Sequence, residues 1–216
     1  MKVCFLASGG GGNFKFLHLA KELKLLDNLE LTVIADRECD SINYAKKHNI
    51  YAKTIHYKRD KNQSLLAELD HVNPDIIVTN WHKIIDEKVV SSYAGKLINL
   101  HYSLLPAFGG LIGIAPIEEA YKQNCQFIGT TCHYVDEGVD SGNIISQAIV
   151  KTDIPIEDAI SEVFRKGCLI LLNSLLIVSG KNIIDVSKNI KYDFSPTLYF
   201  NDAIFDNNFW ERLSKL

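Results

Sequence analysis

Seven short apolar runs, the first five of them separated by helical patterns, constrain this chain more than any other feature. From the N-terminus KVCFLA gives way to NFKFLHLAKELKLL, LELTVIAD to CDSINYAKKHN, and IYAKTIHY to QSLLAELDHV. DIIVTN then leads through a helical pattern near Asp86 to Tyr93 into KLINL. Strands that alternate with helices return parallel to one another, because each crossover helix carries the chain back to the same edge. Beyond KLINL the punctuation changes. Pro106, Gly109, Gly110 and Gly113 mark a long loop, a short helix covers about Pro116 to Lys122, and FIGTTCHYV and NIISQAIV are two further strands joined by DEGVDSG. The expected fold is α/β, a Rossmann-like, mostly parallel twisted sheet of about seven strands with helices on both faces. One long amphipathic helix from Ile156 to Val178, stopped at Gly180, would cover it.

Length and charge narrow the role. The 216 residues suit one domain with a small appendage. Residues 1–180 read as the main domain. Residues 181–216, with aromatics at Tyr192, Phe194, Tyr199, Phe205, Phe209 and Trp210, read as a tail that packs on the domain or on a partner, a surface suited to a homodimer. A formal net charge of -3 provides no field to gather nucleic acid. No run approaches the roughly 20 apolar residues of a membrane span, and the stretch before Ser8 is too short for a signal peptide's apolar region. Cys4, Cys39, Cys125, Cys132 and Cys168 are scattered without a CxxC pair, as expected of reduced thiols in a cytoplasmic protein.

The run SGGGGNF follows the first strand and opens the first helix. Backbone N–H groups of Gly10, Gly11, Gly12 and Asn13, together with the helix N-terminus, form a natural seat for a phosphate or other anion. A P-loop needs GK[ST] where this run continues GNF, and a dinucleotide fingerprint needs a glycine where Phe14 stands. Asp36, at the end of the second strand, is the one feature that favours a dinucleotide.

Asn99 and His101 end the fifth strand. Residues two apart on a strand share a face, so both can aim at one point beyond the sheet's carboxyl edge, where open α/β sheets bind ligands. The turn DEGVDSG supplies Asp136, Glu137 and Asp140, any one of which could reach His101 and hold its imidazole charged. Amide, imidazole and carboxylate together suit attack of an amine on a carbonyl: two groups steady the oxyanion and the third takes the surplus proton. Metal ligation by His101, His133 and Asp140 lacks a tight HxH or CxxC pairing, so no metal is expected.

NLHYSLLPAF followed by HYVDEGVDSG resembles the Asn-x-His-x-Ser-Leu-Leu-Pro block and the later aspartate loop of the formyltransferases that use 10-formyltetrahydrofolate, over about Lys2 to Gly180. The resemblance implies a formyltransferase catalytic domain at residues 1–180, with 10-formyltetrahydrofolate as formyl donor. It implies Asn99, His101 and Asp140 as the catalytic set, with Thr131 and Ser103 in support. Trp81, His82, Lys83, Ile84 and Ile85, with Val135, Asp136, Glu137, Gly138 and Val139, would line the folate site. The implied acceptor is a primary amine on a phosphate-bearing small molecule, most simply glycinamide ribonucleotide in purine biosynthesis. A nucleotide-linked amino sugar is the alternative, and a non-catalytic folate or amino-sugar binding module is the alternative of another class. The departures lie on the acceptor side. Gly12 stands where the family carries a serine, the family's phosphate-side lysine aligns with Val163 and its substrate-contacting glutamate with Lys166. The loop FGGLIGIAP is longer than usual.

Overall fold

The computed structural model describes residues 1–26, 28–180 and 200–216. Tyr192, Phe194 and Tyr199 of the aromatic tail therefore lie outside the described residues. Contacts divide the chain into two compact units: Met1–Asn99 with Tyr134–Glu137 and Leu213–Leu216, and Leu100–His133 with Gly138–Arg212.

In the first unit strands and helices alternate as the sequence pattern predicts: β1 (Lys2–Ala7), α1 (Gly12–Ala20), β2 (Glu30–Ala35), α2 (Asp40–Lys47), β3 (Tyr51–Thr54), α3 (Gln63–Val72), β4 (Ile76–Asn80), α4 (Glu87–Ser92) and the start of β5 (Leu97–His101). Every pairing here is parallel, with Val3 opposite both Leu31 of β2 and Ile76 of β4, and Ile77 opposite Leu97. After Lys2 every residue of β1 is buried, which is why KVCFLA is continuously apolar: a central parallel strand meets helices on both faces. Leu6, Ile34, Leu65, Ile77, Trp81, Ile85, Val89 and Leu97 share one core. In α2, Ser41, Ile42, Tyr44 and Ala45 are buried, a one-sided stripe with lysines on the outer face.

The second unit begins inside β5 and adds α5 (Ala115–Lys122), all but the last residue of β6 (Phe127–Tyr134), β7 (Ile144–Lys151), α6 (Ile156–Val178) and α7 (Asn207–Ser214) as far as Arg212. Here β6 and β7 pair antiparallel, with an irregularity between Cys132 and His133. Hydrogen bonding orders the seven strands β3-β2-β1-β4-β5-β6-β7. Helix α6 has the bounds expected of it but not the uniform amphipathic character. Its first half alternates, whereas every residue from Gly167 to Leu176 is buried. Gly167 permits the close approach, since a Cβ there would lie 2.9 Å from the ring of Tyr102. Ile117, Ala120, Ile128, Ala159 and Val163 form this unit's own cluster. Among the described tail residues, Phe200, Phe205 and Phe209 are buried and stack edge-on in sequence. Among the described residues no helix is long and apolar enough to cross a membrane.

Candidate active site

In the second unit the chain gathers acid, imidazole and backbone at one place. His101, the last residue of β5, is buried at 6% exposure. Its Nδ1 lies 3.3 Å from Asp140 Oδ2 and its Nε2 lies 3.0 Å from the carbonyl oxygen of Phe108. Both neighbours are acceptors, so each ring nitrogen faces an oxygen to which an N–H can donate. Asp140 sits on the turn between β6 and β7 at φ 53, a left-handed conformation that aspartate tolerates better than most residues. Its Oδ2 also accepts from the N–H of Gly110 at 2.8 Å, and its Oδ1 faces Nε2 of His133 at 3.5 Å.

The electrostatics follow from these partners. Burial alone pushes the Asp140 carboxyl upward, but the His133 hydrogen bond, the Gly110 N–H and the charge of His101 outweigh it and hold the group below the ordinary carboxylate range. A carboxylate ionised in a nearly dry place between two imidazoles is an arrangement for moving protons. It is equally a possible cation seat, yet among the described residues no group of three or more His, Cys, Asp or Glu has the disposition to hold a metal ion.

Thr131 and Ser103 fasten the loop that follows β5. Thr131 donates to the Ser103 carbonyl at 2.7 Å and accepts from the Leu105 N–H at 3.1 Å and from Gln147 Nε2 at 2.9 Å. Ser103 donates to the Ala107 carbonyl at 2.5 Å. Both side chains are buried. They fix the backbone that leads to the Phe108 carbonyl and the Gly110 N–H.

In the first unit, Asn99 lies two residues before His101 on β5, and its Oδ1 accepts from the Thr79 hydroxyl at 3.1 Å. That bond orients the amide with its Nδ2 hydrogens turned from Thr79. The glycine turn is held from outside: Ser41 donates backbone N–H and Oγ to the Gly9 carbonyl at 3.1 and 2.5 Å. Gly11, at φ 65, accepts no side chain because a Cβ would meet Ser41. Gly9 and Gly10 are exposed. Asn13 is buried, its Oδ1 taking a hydrogen bond from Asn80 at 3.2 Å, so it braces the turn from within.

The stretch after β4 divides by side chain. Trp81 and Ile85 belong to the first unit's core, with Trp81 stacked on Tyr57 at 4.8 Å, while His82, Lys83 and Ile84 are exposed. Val135 packs on the same core, and Asp136, Glu137, Gly138 and Val139 are exposed. Thus Asp136 and Glu137 stay at the surface and Asp140 is the acid that meets His101. On α6, Val163 is fully buried, and Arg165 lies over the Trp210 ring at 5.6 Å and pairs with Glu162 at 3.3 Å. The sequence reading weighed His133 only as a metal ligand and missed it as the second imidazole on Asp140. Phe108 and Gly110 act through backbone atoms, which residue type does not announce.

An open α/β sheet with a buried acid–imidazole set at the end of β5 defines a Rossmann-like group-transfer enzyme. The chain belongs to the formyl transferase family, which it matches over residues 1–169. It is 30% identical over 159 residues to phosphoribosylglycinamide formyltransferase of Bacillus subtilis, an alignment spanning 70% of this chain and 80% of the relative. It is 36% identical over 97 residues to formyltetrahydrofolate deformylase of Haemophilus influenzae, which spans 44% of this chain and only 34% of that protein's length. The crystal structure of phosphoribosylglycinamide formyltransferase from Bacillus halodurans superposes with a TM-score of 0.75 at 25% identity, covering 89% of this chain and all of that one.

Proposed function

We propose that this protein transfers the formyl group of 10-formyltetrahydrofolate to a primary amine of a phosphate-bearing small molecule, most simply glycinamide ribonucleotide, as in purine biosynthesis. The observation that carries the reading is the buried His101 with both ring nitrogens against acceptors, one of them the carboxylate of Asp140. The neutral amine attacks the formyl carbon, forming a C–N bond and placing negative charge on the formyl oxygen. The Asn99 amide and the His101 Nε2–H, once it turns from the Phe108 carbonyl, are the donors for that oxyanion. Asp140 takes the surplus proton of the attacking nitrogen. Collapse breaks the bond to the folate N10, which leaves with a proton as tetrahydrofolate. The exposed, positive-φ glycine turn and the N-terminus of α1 suit the acceptor's phosphate, while the stretches 81–85 and 135–139 suit the folate.

Water is the second candidate acceptor, because the deformylase stretch is the more identical of the two alignments, 36% against 30%. The same groups would then activate water and release formate. A nucleotide-linked amino sugar draws no support from these relatives. One assay separates the readings: tetrahydrofolate release from 10-formyltetrahydrofolate with and without glycinamide ribonucleotide. Release that needs the amine supports transfer, and release at the same rate without it supports hydrolysis. No release in either case, despite folate binding, returns the chain to a binding module.

A further inference from the structure

We propose that Asp36, the one sequence feature that favours a dinucleotide, is instead a positioning residue that fixes the loop after β4 and through it the folate site. The proposal rests on the reading above, in which residues 81–85 meet the donor.

The side chain of Asp36 is 3% exposed, so no ribose can reach it without rearrangement. Arg37 chelates it, with Nε on Oδ1 at 3.0 Å and Nη2 on Oδ2 at 2.8 Å. Nζ of Lys83 stands 3.8 Å from Oδ2. The Ser8 hydroxyl donates to the same carboxylate, and its oxygen accepts the backbone N–H of His82 at 3.2 Å. Ser8 follows β1, Asp36 follows β2, and His82 and Lys83 follow β4, three strands adjacent in the order β2-β1-β4. One carboxylate thus ties three strand ends, holding the loop by an N–H relay through Ser8 and by charge through Lys83. Arg37, whose hydrogen bond is the foremost cause, keeps the carboxyl below its ordinary range against the opposing effect of burial. The tie therefore stays charged wherever the protein works.

The test uses Asp36→Ala and Asp36→Asn in the full chain, with donor binding read from indole fluorescence. The chain has 2 tryptophans, so a Trp210→Phe background isolates Trp81, next to His82. Asp36→Ala should raise the KM for 10-formyltetrahydrofolate about tenfold with kcat within about twofold of wild type. Asp36→Asn, which keeps an acceptor for Ser8 and loses the charge for Lys83, should fall between. Lys83→Met should weaken donor binding too, and the double variant should be less than additive, as for residues acting through one contact. An unchanged donor KM, a fall confined to kcat, or full additivity would overturn the proposal. If Asp36→Ala fails to fold, Asp36→Asn carries the same comparison. Amide exchange at His82 keeps the two readings apart, since it should quicken in the Asp36 variants whether or not folate binds. Unchanged exchange sinks the positioning role, whereas a wild-type protein that neither binds nor turns over the donor sinks the functional reading alone.

Discussion

Two aspartates, one in each unit, have largely enclosed side chains beside basic groups and are held below the ordinary carboxylate range, yet their surroundings assign them different work. Asp36 is matched with a guanidinium and an ammonium, cations that stay charged across the working pH range. Asp140 is matched with two imidazoles, His101 and His133, side chains of the type that can both give and take a proton. A carboxylate with permanent cations is a fastener. One between imidazoles has partners to which a proton can pass. Burial and a lowered proton affinity do not by themselves mark a catalytic acid, and the nature of the partner decides.

The largest expected effect breaks the comparison if it fails. Asp140→Asn keeps shape and removes proton affinity, so turnover should fall by about 10² to 10⁴, the usual share of an acid–base group, with donor binding little changed. Steady-state rates of tetrahydrofolate release measure this, and a variant within a few fold of wild type would remove Asp140 from the chemistry. His133→Gln, which weakens a contact to the Asp140 carboxylate, should cost about tenfold in kcat, the scale of a hydrogen bond to a charged group, and should alter the pH–rate profile. A profile identical in shape would make His133 a packing residue.

A smaller effect appears in stability against pH. Because the folded proton affinity of Asp140 is depressed, its contribution is complete above the ordinary carboxylate value of 3.8 and is lost as pH falls through the folded value. Urea unfolding from about pH 5 downward should therefore show a shallower acid limb in Asp140→Asn than in wild type. The smallest effect tests titration away from either aspartate. His18, bonded through Nδ1 to the Tyr44 hydroxyl at 2.7 Å, is lowered from 6.5 by burial and then by its neighbour His48. Its stabilising contribution is thus present above pH 6.5 and declines as pH drops through that value, because the unfolded chain binds the proton first. His18→Gln should narrow the difference in Tm between about pH 7.5 and pH 5.5. An equal difference in both proteins would place that acid sensitivity elsewhere.

The parts legible in the sequence share a cause. The strands follow from short apolar runs bounded by turn residues, and α6 from a three-to-four-residue pattern at its start and Gly180 at its end, so neighbours in sequence report on one another. Asn99 and His101 were legible because they interrupt such a pattern at the strand's end. The buried second half of α6 was not, since a helix enclosed on all sides carries no stripe to read. The role of Asp36 was not legible, because an acid at the end of β2 favours a dinucleotide by position and only its inward side chain shows the tie to Arg37 and Lys83.

By itself the sequence determined the alternation of strand and helix, the glycine turn after β1, and an amide and an imidazole at the end of β5, because each is a local pattern. The residues alone left Asp136, Glu137 and Asp140 equal as partners for His101, a choice to which only the family resemblance could speak. The tertiary structure decided for Asp140 and brought in His133, Phe108 and Gly110. The physical reason is that these contacts span 7 to 39 residues and depend on left-handed turns at Phe108, Gly110 and Asp140, φ 59, 81 and 53. Non-glycine residues rarely adopt that conformation unless long-range packing holds them there.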